Sequence, residues 1–236
     1  MLMLALESSA KTASAALFED GTFLGQYFQS DGLTHSCTLL PMAQSLVKNT
    51  GRTLRQLGCV AVAHGPGSFT GLRIGMAAAK GLAWALEIPA IGVSTLEAMA
   101  AGGPDEEGAM LCCVMDARRS QVYNALFEIR GGVPCRLTPD RAVSIAALEA
   151  EMKTYLKKSW ILLGDGAQLC YNALDKDALA LRLAPAGLRM QCARGVGLAA
   201  LGKEPAPADE LLPVYLRLSQ AERERQERMQ RQTTEN

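Results

Sequence analysis

The sequence predicts an α/β protein of two successive lobes. Short apolar runs of strand length alternate with longer helical patterns from end to end. The first half opens with strands joined by tight turns. After a stretch rich in Gly, Pro and acidic residues, Ala101–Gly108, the second half opens the same way. The chain has 236 residues, 49% of them hydrophobic, enough to bury a core in each of two small lobes. The expected division is 1–104, 105–218 and a charged tail, 219–236.

In the first half, Met1–Leu6 and Ala13–Phe18 read as buried strands. Asp20-Gly21 is a hairpin signal, and Thr22–Phe28 alternates as a third strand. Thr34 is a candidate N-cap for a helix carrying Leu39, Met42, Ala43, Leu46 and Val47 on one side, with Pro41 starting or bending it. Cys59–Ala63 is a strand, a glycine-rich turn follows, and a helix runs to about Leu86. Ile88–Val93 is another strand, and Ser94-Thr95-Leu96-Glu97 has the form of a capping box.

In the second half, Met110–Met115 is a strand, and Val122–Ile129 pairs with Pro134–Leu137 across Gly131-Gly132. Ser144–Lys157 reads as an amphipathic helix, Trp160–Leu163 as a strand and Gly164-Asp165-Gly166 as a turn. Helical patterns follow near Ala167–Leu174 and Arg194–Leu201, the last free to pack back on the first lobe. Lys203–Asp209 is a Pro-rich connector, Pro213–Leu218 a strand or extended segment, and Gln220–Gln232 a solvated, charged tail.

Composition excludes several classes. Lys and Arg total 24, as do Asp and Glu, so the basic footprint of an independent nucleic-acid binder is absent. Seven cysteines without CxxC spacing read as reduced thiols of a cytoplasmic chain. No basic leader precedes Glu7 and no apolar run reaches membrane-spanning length, so no membrane partner is expected. The two histidines, His35 and His64, lie too far apart for an H-E-x-x-H zinc pair, and no G-x-S-x-G elbow is present. Asp116-Ala117-Arg118-Arg119 is a charged cluster after a strand. Neither a catalytic set nor a metal set is expected.

The run Gly65-Pro66-Gly67-Ser68-Phe69-Thr70-Gly71-Leu72-Arg73-Ile74-Gly75 fits neither G-x-G-x-x-G nor G-x-x-x-x-G-K-[ST], and no lysine follows to reach a phosphate. A helix start near Thr70 remains able to attract an anion. Gly71, Gly75, Ala78 and Leu82 fall on one helix face, beside a second apolar face of Leu72, Met76, Ala79, Ala83 and Leu86. Such a helix must be covered on both sides, by this chain or by a partner. The expected partner surface is Leu39, Met42, Ala43, Leu46, Gly71, Gly75, Ala78 and Leu82. A charge at Gly75 or Ala78 should then break a complex and leave the chain folded. Glu7, Ser8, Ser9, Thr70 and Asp165 are candidate nucleotide contacts, although Glu7-Ser8-Ser9-Ala10-Lys11 is more simply a polar hairpin turn.

The glycine run, Leu4-Ala5-Leu6-Glu7-Ser8-Ser9, His35 with Leu39-Leu40-Pro41-Met42, Gly92 to Ala98, Asp116 to Arg119 and Pro213-Val214-Tyr215-Leu216-Arg217 closely resemble the bacterial TsaB (YeaZ) family over nearly the full chain. The resemblance implies a two-lobed actin-like fold of the ASKHA, ribonuclease H-like class. It implies a non-catalytic relative of TsaD in the machinery that forms N6-threonylcarbamoyladenosine at adenosine 37 of ANN-reading tRNAs. The implied partners are TsaD as a heterodimer and TsaE, with self-association when TsaD is missing and tRNA contacted only through the complex. ATP or ADP is implied only at a subunit junction. The family's older glycoprotease-like label keeps a second expectation open, a stand-alone nucleotide-binding enzyme or hydrolase of the same class. TsaD-type chains hold metal with paired histidines on the first helix. Here His35 stands alone, and Glu7-Ser8-Ser9 replaces the family's usual Asp-Thr-Ser.

Overall fold

The computed structural model describes residues 1–155 and 158–217. The end of the helix expected to reach Lys157, Leu218 of the expected last strand, and the tail 219–236 lie outside the described residues.

Two sheets are built to one plan. In the first, β1 (Leu2–Glu7), β2 (Ala13–Glu19) and β3 (Thr22–Gln29) form an antiparallel meander; β4 (Leu57–Gly65) and β5 (Ala90–Ser94) add in parallel, giving the order β3-β2-β1-β4-β5. In the second, β6 (Met110–Asp116) pairs antiparallel with β7 (Gln121–Arg130). The two ends of β7 are covered by β8 (Val133–Arg136) and β9 (Arg141–Ser144), and β10 (Trp160–Leu163) and β11 (Leu181–Leu183) add in parallel on the other side. The central strands are buried on both faces and read as unbroken apolar runs.

Helices fill three layers. α1 (His35–Asn49) and α2 (Phe69–Leu86) cover the outer face of the first sheet, burying Leu39, Ala43, Leu46, Met76, Ala79 and Ala83 against Leu4, Leu6, Val60 and Val62. α4 (Ile145–Met152) and α5 (Ala167–Ala173) cover the outer face of the second with Leu148, Met152 and Cys170. Between the sheets lie α3 (Thr95–Gly102) and α7 (Ala193–Ala200). A Cβ on Gly195 would stand 2.2 Å from Ala98 O, so glycine is what lets these two helices touch backbone to backbone. α7 buries Ala193, Val196 and Ala200 beside Met3, Ala5 and Phe18, so a helix from late in the chain closes the inner face of the first sheet.

Several local details differ from the expectation. α1 runs through Pro41, which occupies its second turn and gives up one i→i−4 bond there. Thr34 takes the N-cap position of α1 without a side-chain bond. Ser94 does cap α3, accepting from Glu97 N, but the Glu97 carboxylate turns away to Lys203 and Arg136, so the box is half formed. α4 stops at Met152. β9, β11 and the short α6 (Ala186–Arg189) have little apolar periodicity and had no counterpart in the sequence reading. Pro213–Arg217 is irregular, bends at Leu216 and Arg217, and joins neither sheet. No helix among the described residues is long and apolar enough to cross a membrane.

Candidate functional site

Two features gather the sequence-predicted residues: a cleft between the lobes and the outer surface of α1 and α2.

The cleft is built on the turn after β1. It is the polar hairpin turn expected between β1 and β2, and its Glu7, Ser8 and Ser9 are buried. Ser9 N donates to Glu7 Oε1 at 2.5 Å, Ser8 Oγ donates to Gly71 O at 2.9 Å, and Ser68 N donates to Ser9 O at 2.7 Å. The start of α2 therefore lies directly on this turn, with Ser68 as its N-cap. The glycine spacing follows from that contact. A Cβ would stand 2.5 Å from Ser9 O at Gly67, 2.1 Å from Ser8 O at Gly71 and 2.5 Å from Ser8 Oγ at Gly75. Gly71 and Gly75 thus face inward. An exposed docking face that includes them is corrected: they fix α2 to its own lobe, and a charge at Gly75 would strike Ser8.

Above the turn the cleft has a volume of about 630 Å³. Its walls include Ser9, Lys11 and Thr70 from the first lobe and Asp116, Arg118 and Asp165 from the second. Three of the five nucleotide candidates, Ser9, Thr70 and Asp165, are brought together. Glu7 and Ser8 lie behind the wall, sealed by the α2 start. Burial pushes the Glu7 carboxyl up to about 7, against the opposing Ser9 hydrogen bonds, and the Asp165 charge adds to the rise. Glu7 Oε2, Ser9 Oγ and Gln191 Oε1 have no hydrogen-bond partner. Burial also raises Asp165, opposed by Gln191 Nε2, which donates to its Oδ1 at 2.8 Å.

These residues do not fit a metal–phosphate centre. Glu7 is held back by Ser9, and among the described residues no three His, Cys, Asp or Glu side chains converge to hold a metal ion. His35 Nε2 is 2.9 Å from Ala10 O, which fixes the start of α1 over the same turn. His64 is half-buried, and burial lowers its pKa. Gln191, Tyr215 and Arg217 were missed as site residues. Tyr215 and Arg217 belong to a motif visible in the sequence, but nothing local says which distant residues they meet.

On the outer helices, Leu39, Ala43 and Leu46 are 1%, 1% and 3% exposed and are core, not surface. Met42, Ala78 and Leu82 are half-buried at its edge. The outward stripe is instead Ala77, Gly81 and Trp84, with Leu40 on the neighbouring α1. Trp84 is 83% exposed. The signal was the i, i+4, i+7 spacing of Ala77, Gly81 and Trp84.

A family model described as TsaD, tRNA N6-adenosine threonylcarbamoyltransferase, matches residues 32–200. The Bacillus subtilis protein named tRNA threonylcarbamoyladenosine biosynthesis protein TsaB is 35% identical over 94% of this chain and 96% of its own length. The chain belongs to the TsaB family. The Escherichia coli K12 protein of the same name is 34% identical over 92% of this chain and 95% of its own. YeaZ from Pseudomonas aeruginosa superposes with a TM-score of 0.77 at 28% identity, covering 91% of this chain and 99% of that one. With the two matched sheets, these TsaB and YeaZ relatives make the fold the two-lobed, actin-like fold of the ASKHA class.

Proposed function

We propose that the chain works in tRNA threonylcarbamoyladenosine biosynthesis as a non-catalytic subunit. It binds a TsaD-type transferase through the outer surface of α1 and α2, with TsaE as a further partner, and supports transfer to adenosine 37 of ANN-reading tRNAs. The observation that carries this reading is Trp84. It is a large aromatic side chain, 83% exposed, on a helix otherwise lined outward by Ala77 and Gly81. Aromatic anchors on a flat small-residue surface are the usual core of a protein interface. Leu40, Met42, Ala78 and Leu82 complete the surface in this reading.

Two further observations support a partner role over turnover. The only carboxylate at the end of β1, Glu7, is held by its neighbour's backbone, away from the cleft. The balanced charge of 24 basic and 24 acidic residues suits tRNA contact shared with other subunits. The same surface pairs two copies of this chain when the transferase is missing.

The test is reconstitution of tRNA modification from a threonylcarbamoyl-adenylate source, TsaD and TsaE, with and without this chain. Modification is expected only with the chain present, and Trp84→Glu should abolish the gain. Full modification in its absence defeats the reading, as does turnover by the chain alone.

A further inference from the structure

The segment Pro213–Arg217 has no strand to pair with, and none of its side chains belongs to a hydrophobic cluster. It is nevertheless held at both ends, by different lobes. At the first lobe, Val214 N donates to His64 O at 2.7 Å. Gly65 makes room for this: at φ +131°, a Cβ there would stand 2.2 Å from Val214 O. The Tyr215 ring stacks on Phe69 with centroids 4.7 Å apart and planes 31° apart. The Arg73 guanidinium lies over Phe69 at 3.9 Å, and its Nε donates to Tyr215 Oη at 3.3 Å. At the second lobe, Arg217 Nη1 donates to Ala117 O at 2.8 Å. Between the anchors, Tyr215, Leu216 and Arg217 form part of the cleft wall.

The second anchor sits on an unusual turn. Arg118, Arg119 and Ser120 all have positive φ, 63°, 56° and 56°. Three consecutive non-glycine residues in that region persist only where surrounding contacts over-determine them. Here these are Arg118 N to Asp116 Oδ1 at 2.7 Å, Ala117 N to Gln121 O at 3.0 Å, and the Arg217 bond. Elsewhere the lobes are joined by Ser94 with Asp140, Arg136 with Glu97, and Thr12 with Gln191, so the fold stays joined without the segment.

We propose that Pro213–Arg217 is a latch that sets how far the cleft opens. It is anchored firmly on the glycine turn through Val214 and Tyr215, and releasably on the Ala117 turn through Arg217. An irregular segment with two anchors and no core side chain can let go at one end without unfolding either lobe. The latch holds whichever partner or ligand the chain binds, so it stands apart from the functional reading above.

The experiment is amide hydrogen exchange, resolved residue by residue, on the full chain and on Arg217→Ala and Tyr215→Ala variants. The decisive amide is Ser9. It lies on the first-lobe wall, is buried, and bonds to Glu7, not to the segment. With the latch released by Arg217→Ala, the Ser9 and Ala117 amides should exchange about tenfold faster, while strand amides of β1 and β4 keep their protection. Tyr215→Ala should add the Val214 amide to the fast set. A merely local strut predicts acceleration at Ala117 alone. Unchanged Ser9 exchange in Arg217→Ala overturns the latch, and so does an equal loss of protection in β1 and β4. If Tyr215→Ala does not fold, the Arg217→Ala outcome alone decides.

Discussion

The two lobes share a sheet plan but differ in the helices that cover them. α1 and α2 have 15 and 18 residues, whereas α4 and α5 have 8 and 7. At 1.5 Å per residue, α2 runs about 27 Å and α4 about 12 Å. The short helices bury Leu148 and Met152 fully, and among the described residues Leu169 is their one exposed large hydrophobic residue. The long helices bury a comparable core and then keep an outward stripe ending in Trp84. The lesson is that helix length and outward apolar residues beyond the requirements of the core single out the face proposed above for docking.

The largest effect should come from breaking the inward face of α2. Gly71→Ala places a methyl 2.1 Å from Ser8 O, which is backbone and cannot step aside. A loss of about 3 kcal/mol or more is expected, read from the urea midpoint. A neutral result would mean that the turn after β1 is looser than its hydrogen bonds indicate.

Next is the pH dependence of Glu7. Its carboxyl is raised from 4.5 to about 7, so between those values it is protonated when folded and ionised when unfolded. Stability therefore falls as pH rises through that window and loses nothing more above it. Glu7→Gln escapes the loss. Its advantage over the parent should be absent at pH 4 and grow to about 3 kcal/mol at pH 8, measured by chemical denaturation. The equivalent change in the second-lobe turn, Asp165→Asn, should gain less, because Asp165 is only half-buried and has the Lys11 charge as well as the Gln191 donor to favour its ionised form. Equal gains would erase this difference between the lobes.

Trp84→Glu should leave monomer stability within about 0.5 kcal/mol and weaken transferase binding by about 2 kcal/mol or more, measured by calorimetry. Leu169→Glu on α5 is the matched control and should change binding little. If both variants bind alike, the contrast between outer layers has no functional meaning. The smallest effect is Gly81→Ala: nothing lies within 4 Å of the new methyl, and helix propensity alone should stabilise the chain by about 0.5–1 kcal/mol.

The strongly patterned elements were legible. β1, β2, β4, β6 and β10 each carry an apolar run of four residues or more, and α2 follows its glycine turn where expected. β9 and β11 were not, because short strands pairing at an edge carry no periodicity of their own. The site was half legible. Glycines at 67, 71 and 75 announced a close approach, but a sequence cannot say whether the approaching backbone is a partner's or, as here, that of Ser8 and Ser9. Leu39, Ala43 and Leu46 were read as a docking face because a buried stripe and an interface stripe have the same spacing. Trp84 shares a helical spacing with Ala77 and Gly81, but that spacing does not say which face points outward; its 83% exposure does.

The two tryptophans of this chain occupy opposite extremes of environment. Trp160 is fully buried at the start of β10, edge-on to Tyr155, while Trp84 stands in solvent on the first lobe. Their fluorescence should therefore separate into a blue component shielded from aqueous quenchers and a red component open to them. Unfolding would shift the first and docking would shield the second, so one unlabelled chain carries independent optical reporters of its integrity and of its engagement.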